Sequence, residues 1–225
     1  MSDTDFAGRI VLVMGAAGAL GAGLVTAFAA AGAEVIGVDK ALPEADRRFG
    51  GVSYRAVDVL DDAALADLFD QAPLPWAVVS TVGGFVGHAP LAELDPAVLT
   101  GQIELNLVSA ALVTKHALRR MAAAGQGRIV LTASRAALVT KGTHFAYSVS
   151  KLGVLHLVSM AADETTGTGI TVNCVVPSII DTPANRSAMP AADHASWPKI
   201  PDIAQAYLFL ASPAAHLVSG TAVGV

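Results

Sequence analysis

Tyr147 and Lys151 stand four residues apart in a segment whose apolar spacing predicts a helix, so their side chains share one helix face. Ser134 lies upstream, just past Arg128-Ile-Val-Leu-Thr132-Ala133, an apolar run that reads as a buried strand. A hydroxyl at the end of a strand is a reactive group on a rigid scaffold. The chemistry these three residue types suggest is proton transfer. A free phenol has a pKa of roughly 10, too high for a base at neutral pH, and a nearby ammonium lowers it. The serine hydroxyl would hold a substrate oxygen beside the phenol. Such a set protonates an alkoxide as it forms, or takes the proton of an alcohol as it is oxidised. The Tyr-x-x-x-Lys spacing also occurs in helices that do no chemistry. The reading therefore depends on whether the chain carries a redox partner for the proton.

The N-terminal third supplies one. Arg9-Ile-Val-Leu-Val-Met14 reads as a strand, and Gly15-Ala-Ala-Gly18-Ala19-Leu20-Gly21 follows as a glycine-rich turn ahead of an alanine-rich helix over Leu24 to Ala31. A turn of this kind lets backbone N–H groups approach a pyrophosphate at a helix N-terminus. Glu34-Val-Ile-Gly-Val-Asp39 reads as the second strand, and Asp39 falls 24 residues after Gly15. A carboxylate there accepts the ribose hydroxyls of an adenosine and repels a 2′-phosphate. No Arg or Lys lies within the turn to receive that phosphate, so NAD is preferred over NADP, with the adjacent Lys40 as the opposing consideration. The alternative for Asp39 is a solvated loop carboxylate.

The elements that position these groups follow in order. Val52 to Val57 reads as a third strand closed by Asp58-Val59, and Asp61 to Phe69 as an amphipathic helix with an acidic start. Trp76 to Val82 reads as a fourth strand ending in Gly83-Gly84, which suits either the close approach of a dinucleotide or an ordinary turn. Leu99 to Ala124 is a long helix carrying Asn106 in an otherwise apolar stretch; a buried amide there must find partners. Ile170 to Val176 is a strand ending in Pro177, Pro201 to Leu210 a last helix, and Thr221 to Val225 a short final strand. Strands alternating with helices predict an α/β, doubly wound parallel sheet of Rossmann type, one domain over 1–225, with ligands at the C-terminal strand ends. The irregular segment Ser178 to Lys199, with Pro183, Pro190 and Pro198, is the expected substrate lid. Within it, Arg186 and Trp197 read either as substrate contacts or as a surface arginine and a packing tryptophan. His144, three residues before Tyr147, reads either as facing substrate or as a histidine at the helix start.

Composition sets the bounds. Hydrophobic residues make up 53% of the 225 and charged residues 15%, which suits a sheet covered on both faces or a subunit with a buried interface. A net charge of −5 gives no basic surface for nucleic acid. No uninterrupted apolar run of about 18 residues is present, so no membrane span is expected. Met1-Ser-Asp-Thr-Asp5 lacks the cationic start of a secretory signal. The single cysteine, Cys174, lies in an apolar run and reads as a small buried hydrophobe. The histidines show no metal-ligand spacing, so no metal is expected. The expectation is a cytoplasmic protein acting on a small molecule.

Tyr147-Ser-Val-Ser-Lys151, Ser134 thirteen residues ahead, Glu104-Leu-Asn106 and the ordered cofactor turn together resemble the short-chain dehydrogenase/reductase family over nearly the whole chain. The resemblance implies that Tyr147 is the general acid/base. It implies that Lys151 lowers the phenol pKa and binds the nicotinamide ribose, that Ser134 orients substrate, and that Asn106 holds a relay water. It further implies that Asp58 and Val59 contact adenine, that Pro177, Ile180 and Thr182 lie against the cofactor with Thr182 on the carboxamide, and that the two long helices form the core of a homodimer or homotetramer. The chain departs from the family pattern at Met14 and Ala19 in the turn and at Ser80-Thr-Val-Gly83. These variants, and Asp181-Thr-Pro-Ala-Asn-Arg186-Ser-Ala-Met-Pro190 with Asp193 and Trp197, resemble the quinonoid dihydropteridine reductase branch. That branch lacks the serine, so Ser134 points to a carbonyl/alcohol enzyme and a pterin reductase is the alternative. A non-catalytic dinucleotide-binding protein is a third reading, from a different class.

Overall fold

The computed structural model describes residues 5–139 and 142–225. Met1–Thr4, most of the stretch read for a leader sequence, lie outside the described residues. Seven strands form one parallel sheet in the order β3-β2-β1-β4-β5-β6-β7. They are β1 (Ile10–Met14), β2 (Glu34–Asp39), β3 (Ser53–Ala56), β4 (Ala77–Ser80), β5 (Gln126–Thr132), β6 (Gly169–Val176) and β7 (Ala222–Gly224). The central strands are nearly continuous Val, Ile and Leu because helices cover both faces and leave no solvated side. The order reverses between β1 and β4, which opens a crevice at their C-terminal ends.

The helices are α1 (Ala19–Ala30), α2 (Asp62–Gln71), α3 (Pro96–Ile103), α4 (Ser109–Ala122), α5 (Phe145–Glu164), α6 (Pro183–Ala188) and α7 (Ile200–Ala211). One face of the sheet packs Leu12, Val78, Ile129 and Val172 against Leu65, Val113 and Val154 of α2, α4 and α5. The other packs Val11, Val79, Val130 and Val175 against Leu24, Phe28, Ile203 and Tyr207 of α1 and α7. α1 begins five residues before the Leu24 expected from apolar spacing, because the helix starts as soon as Gly18 closes the turn. The third and fourth strands are shorter than their apolar runs.

The long helix expected over Leu99 to Ala124 runs from Pro96 to Ala122, with Pro96 at the favoured first position and Asp95 capping Ala97 N–H. It is interrupted by one π-helical turn over Glu104–Val108. This helix and α5 are long and apolar enough, by length and composition, to cross a membrane. Here each packs one face on the sheet, and the other faces combine into a groove lined by Ile103, Leu107, Val149, Leu152, Gly153 and His156.

At the opposite, N-terminal edge of the sheet, the guanidiniums of Arg9 and Arg128 lie over the Trp76 indole at 4.8 and 4.9 Å. Arg128 is buried and donates to the carbonyls of Gly127, Gly169 and Ser212. Burial holds its pKa below the ordinary value, with the Arg9 charge adding to the effect.

The turn after β1 is built on two glycines. Gly15 has φ +84°, a conformation only glycine adopts freely. A side chain at Gly21 would overlap the Gly15 carbonyl. Gly21→Ala should therefore cost about 1–3 kcal/mol of stability, as overpacking does, read as a lower midpoint in urea unfolding. An unchanged midpoint would show that the turn can relax.

Candidate active site

β5 ends at Thr132, and three groups converge on that end. The Lys151 ammonium donates to the Thr132 carbonyl at 2.9 Å. The Thr132 hydroxyl lies 2.6 Å from the Ser80 carbonyl and 2.7 Å from the Tyr207 hydroxyl. Ser134 follows in extended backbone, and the Arg135 N–H bonds the Pro177 carbonyl, which pins the serine loop to the end of β6. Lys151 is 3% exposed, and burial pushes its pKa down to about 8 against a weaker opposing pull from Cys174. The Cys174 thiol, also buried, is pushed up to about 12 and stays protonated.

Tyr147 lies one turn before Lys151 on α5. Burial raises its pKa, and the Ser134 hydroxyl stands close enough to pull it back. The expected depression by Lys151 is not what this geometry yields. The ammonium is committed to a strand carbonyl and desolvation of the phenol dominates. Phe85 meets the Tyr147 ring edge-on at 5.3 Å, and His88 and His144 extend the row of rings.

Asn106 is fully buried on the π-helical turn. Its amide oxygen accepts the Gly84 N–H and its amide nitrogen donates to the Gly84 carbonyl, both at 3.0 Å. The amide thus finds its partners in the loop after β4 and clamps it, a structural role that stands beside the relay-water role that the resemblance implies. Gly83 explains the clamp. A Cβ there would come within 2.5 Å of the Asn106 Oδ1 and 2.8 Å of the Lys151 Nζ. Its missing side chain makes room for these two residues, a packing demand that stands beside the two readings of the sequence, a dinucleotide approach or an ordinary turn.

Of the residues expected at the cofactor, Gly15, Gly18, Ala19 and Asp39 lie at the C-terminal ends of β1 and β2. Gly18 caps α1 without a side chain and lies exposed beside Ala19, with nothing but the Gly15 carbonyl within 4 Å of a Cβ placed there. That leaves the first N–H groups of α1 facing an open cradle, which fits a pyrophosphate. Leu20 turns into the core. One Asp39 oxygen accepts the Ala17 N–H at 2.9 Å and the other the Lys40 N–H at 2.8 Å. Each oxygen keeps a further lone pair. Lys40 pairs with Asp58 at 2.8 Å, and that ammonium holds the Asp58 carboxyl below the usual carboxylate range. Val59 packs in the core.

The segment expected as a lid is partly ordered. Thr182 caps α6 by accepting the Asn185 N–H, a role that leaves its O–H able to donate as expected toward a carboxamide. Asn185 donates to the Ile180 carbonyl. Arg186 forms a two-pronged pair with Asp181 at 2.6 and 2.9 Å. Trp197 is buried against His194, which favours the packing reading. Sequence reasoning missed Thr132, whose role is carried by a backbone carbonyl, and Thr81, whose hydroxyl ties the β4 loop to the Met14 and Gly15 carbonyls. It also missed Phe85 and His88, which sit in a loop with no periodicity to mark them.

The family model described as short chain dehydrogenase matches residues 9–193. A cis-4-hydroxycyclohexanecarboxylate dehydrogenase of Sinomonas cyclohexanicum is 35% identical over 98% of this chain and 96% of its own length. A D-threitol dehydrogenase of Mycolicibacterium smegmatis is 32% identical over 97% and 92%. A solved structure from Beutenbergia cavernae, described as an NAD(P)-dependent gluconate 5-dehydrogenase with bound NADP, superposes with a TM-score of 0.88 at 25% identity, covering 99% of this chain and 97% of that one.

The buried ammonium gives a signed pH prediction. Lys151 has a folded pKa of about 8, below the ordinary 10.5, so between these values the unfolded chain binds more protons. The cost of burying the charge is fully present below about 8 and is relieved as pH rises toward 10.5. Measured against Lys151→Met, the unfolding free energy of the wild-type chain should therefore gain between pH 8 and 10.5. A flat difference over that window would place the charge in solvent.

Proposed function

The chain belongs to the short-chain dehydrogenase family, and we propose that it is an NAD-dependent oxidoreductase moving a hydride between nicotinamide C4 and the carbinol carbon of a small secondary alcohol or its ketone. The observation that carries this reading is that Ser134 meets Tyr147 past the C-terminal end of β5, where Lys151 bonds the Thr132 carbonyl, on the same side of the sheet as the turn that opens α1. NAD, when bound, supplies the hydride acceptor. Gly15, Gly18, Ala19 and Leu20 would hold its pyrophosphate and Asp39 its adenosine ribose. Ser134 and Tyr147 would share the substrate oxygen between their hydroxyls. In oxidation the phenolate takes the hydroxyl proton, and in reduction the phenol returns it to the forming alkoxide. A phenol whose pKa is raised by burial holds its proton at neutral pH, which suits the reducing direction; oxidation should speed up as pH rises.

Two further features support the reading. Lys40 is turned to Asp58, and Asp39 faces the turn, which favours NAD over NADP. Ser134 beside Tyr147 favours a carbonyl/alcohol substrate over a pterin. The relative acting on a hydroxylated cyclohexane acid suggests an alicyclic alcohol, and the exposed Phe85, Leu138 and Ile179 after β4, β5 and β6 give the mouth an apolar surface. We place the protein in the cytoplasm, and the apolar groove along Ile103, Leu107 and α5 supports a homodimer or homotetramer. Sedimentation of a single monomeric species at micromolar concentration would overturn that part.

Tyr147→Phe should lower kcat/KM for alcohol oxidation about 10²–10⁴-fold while NADH binding, followed by fluorescence, stays intact. Unchanged turnover would remove Tyr147 from the chemistry. The wild-type chain should bind NADH more tightly than NADPH, and Asp39→Ser should narrow the gap. Equal affinities in the wild type would overturn the cofactor assignment.

A further inference from the structure

Beside Tyr147 is a small cavity of about 100 Å³, walled by the loop after β4, the residues before α3 and the start of α5. A cavity of this size takes one end of a substrate and not its body. His88 and His144 enter it from opposite loops, their rings 5.9 Å apart and perpendicular. Both are held in place. Phe85 packs on His88 at 4.7 Å. Gly142, with φ +104° and no side chain, lies directly against the His144 imidazole. The two loops are joined by the Ala89 N–H on the Thr143 carbonyl at 2.8 Å. His144 occupies the N-cap position of α5 yet makes no capping bond, so its imidazole is not spent on the helix. The first residues of that 20-residue helix, Phe145 and Ala146, line the same cavity. Their end of the helix carries the positive pole of its dipole.

We propose that His88 and His144 receive a carboxylate on the substrate, remote from the carbon that reacts at Tyr147. This deepens the secondary-alcohol reading and rests on it for the reacting end of the molecule. Two imidazoles, each with an N–H to donate, beside a helix N-terminus whose dipole favours an anion suit a carboxylate in hydrogen-bonding sense. Two carboxylates border the cavity, Glu93 and Asp95. Asp95 is already spent on the Ala97 N–H, and Glu93 is exposed at the rim, where solvent screens it. The preferred substrate is then a small hydroxy acid whose apolar ring spans from Tyr147 to the imidazole pair.

The test uses two probes that cannot react: cyclohexanecarboxylate and its neutral counterpart cyclohexanecarboxamide. Calorimetric titration of the full chain, with and without NADH, should show the acid binding at least tenfold more tightly than the amide. His88→Gln and His144→Gln should each weaken the acid about tenfold to a hundredfold, the range for hydrogen bonds to a charged group. The amide should be unaffected, and thermal unfolding should be unchanged. Tyr147→Phe should still bind the acid, which separates this site from the catalytic reading. Alcohol turnover could fail with acid binding intact, and only the proposed function would fall. Equal binding of acid and amide by the wild type, no binding of the acid, or a parallel loss of both probes in the histidine variants would overturn the carboxylate site.

Discussion

A buried ammonium held by the end of a strand is the constraint around which this molecule is arranged. Lys151 is almost wholly buried, and a lone charge there would cost several kcal/mol. The Thr132 carbonyl at 2.9 Å meets that cost in part and, in doing so, fixes α5 against β5. Neighbouring features follow from the need to fit this charge. Gly83 has no side chain because one would strike the Lys151 Nζ. Asn106 reaches across from a π-helical turn and fixes the glycine loop by both ends of its amide. The Thr132 hydroxyl extends the network to Tyr207 on the far face of the sheet. A single polar chain therefore passes through the sheet at the place where the helices of both layers meet it.

Much of this was legible in the sequence, and for physical reasons. The strands announce themselves as apolar runs because both faces of the sheet are covered. The glycine turn is legible because Gly15 and Gly21 meet demands of backbone conformation and contact that few residues satisfy. The Tyr147–Lys151 pair is legible because helix geometry fixes which side chains share a face. What escaped is what depends on distance across the fold. Nothing in the string says that Asn106 will meet Gly84 or that Lys151 will bond the Thr132 carbonyl; the Thr182 cap and the Asp181–Arg186 pair are local and lay within reach of the spacing. The sign of the Tyr147 shift escaped for the same reason, since it turns on burial and on where the ammonium points. The family match over residues 9–193 agrees with the reading of the larger plan. It leaves these local assignments to the geometry.

The apolar excess of the composition also has a place. It covers two faces of a seven-stranded sheet, and it continues onto the outer sides of α3 and α5, where Leu107 lies close against Gly153. The same helix that presents Tyr147 and Lys151 inward presents Leu152 outward at 50% exposure. Whatever covers that outer face bears on the helix that holds the reactive groups, so assembly and chemistry share one rigid element.

The two tryptophans divide the molecule between them. Trp76 lies under the guanidiniums of Arg9 and Arg128 at the base of the sheet, with its indole N–H on the Ala211 carbonyl. Trp197 sits in the strap above the crevice, against the His194 ring. Their fluorescence therefore reports on opposite ends of the same fold. Two guanidiniums over one indole and an imidazole beside the other give the two emitters different surroundings and different quenchers. A change confined to Trp197 emission would register movement of the strap alone, while Trp76 would remain a built-in reference for the body of the sheet.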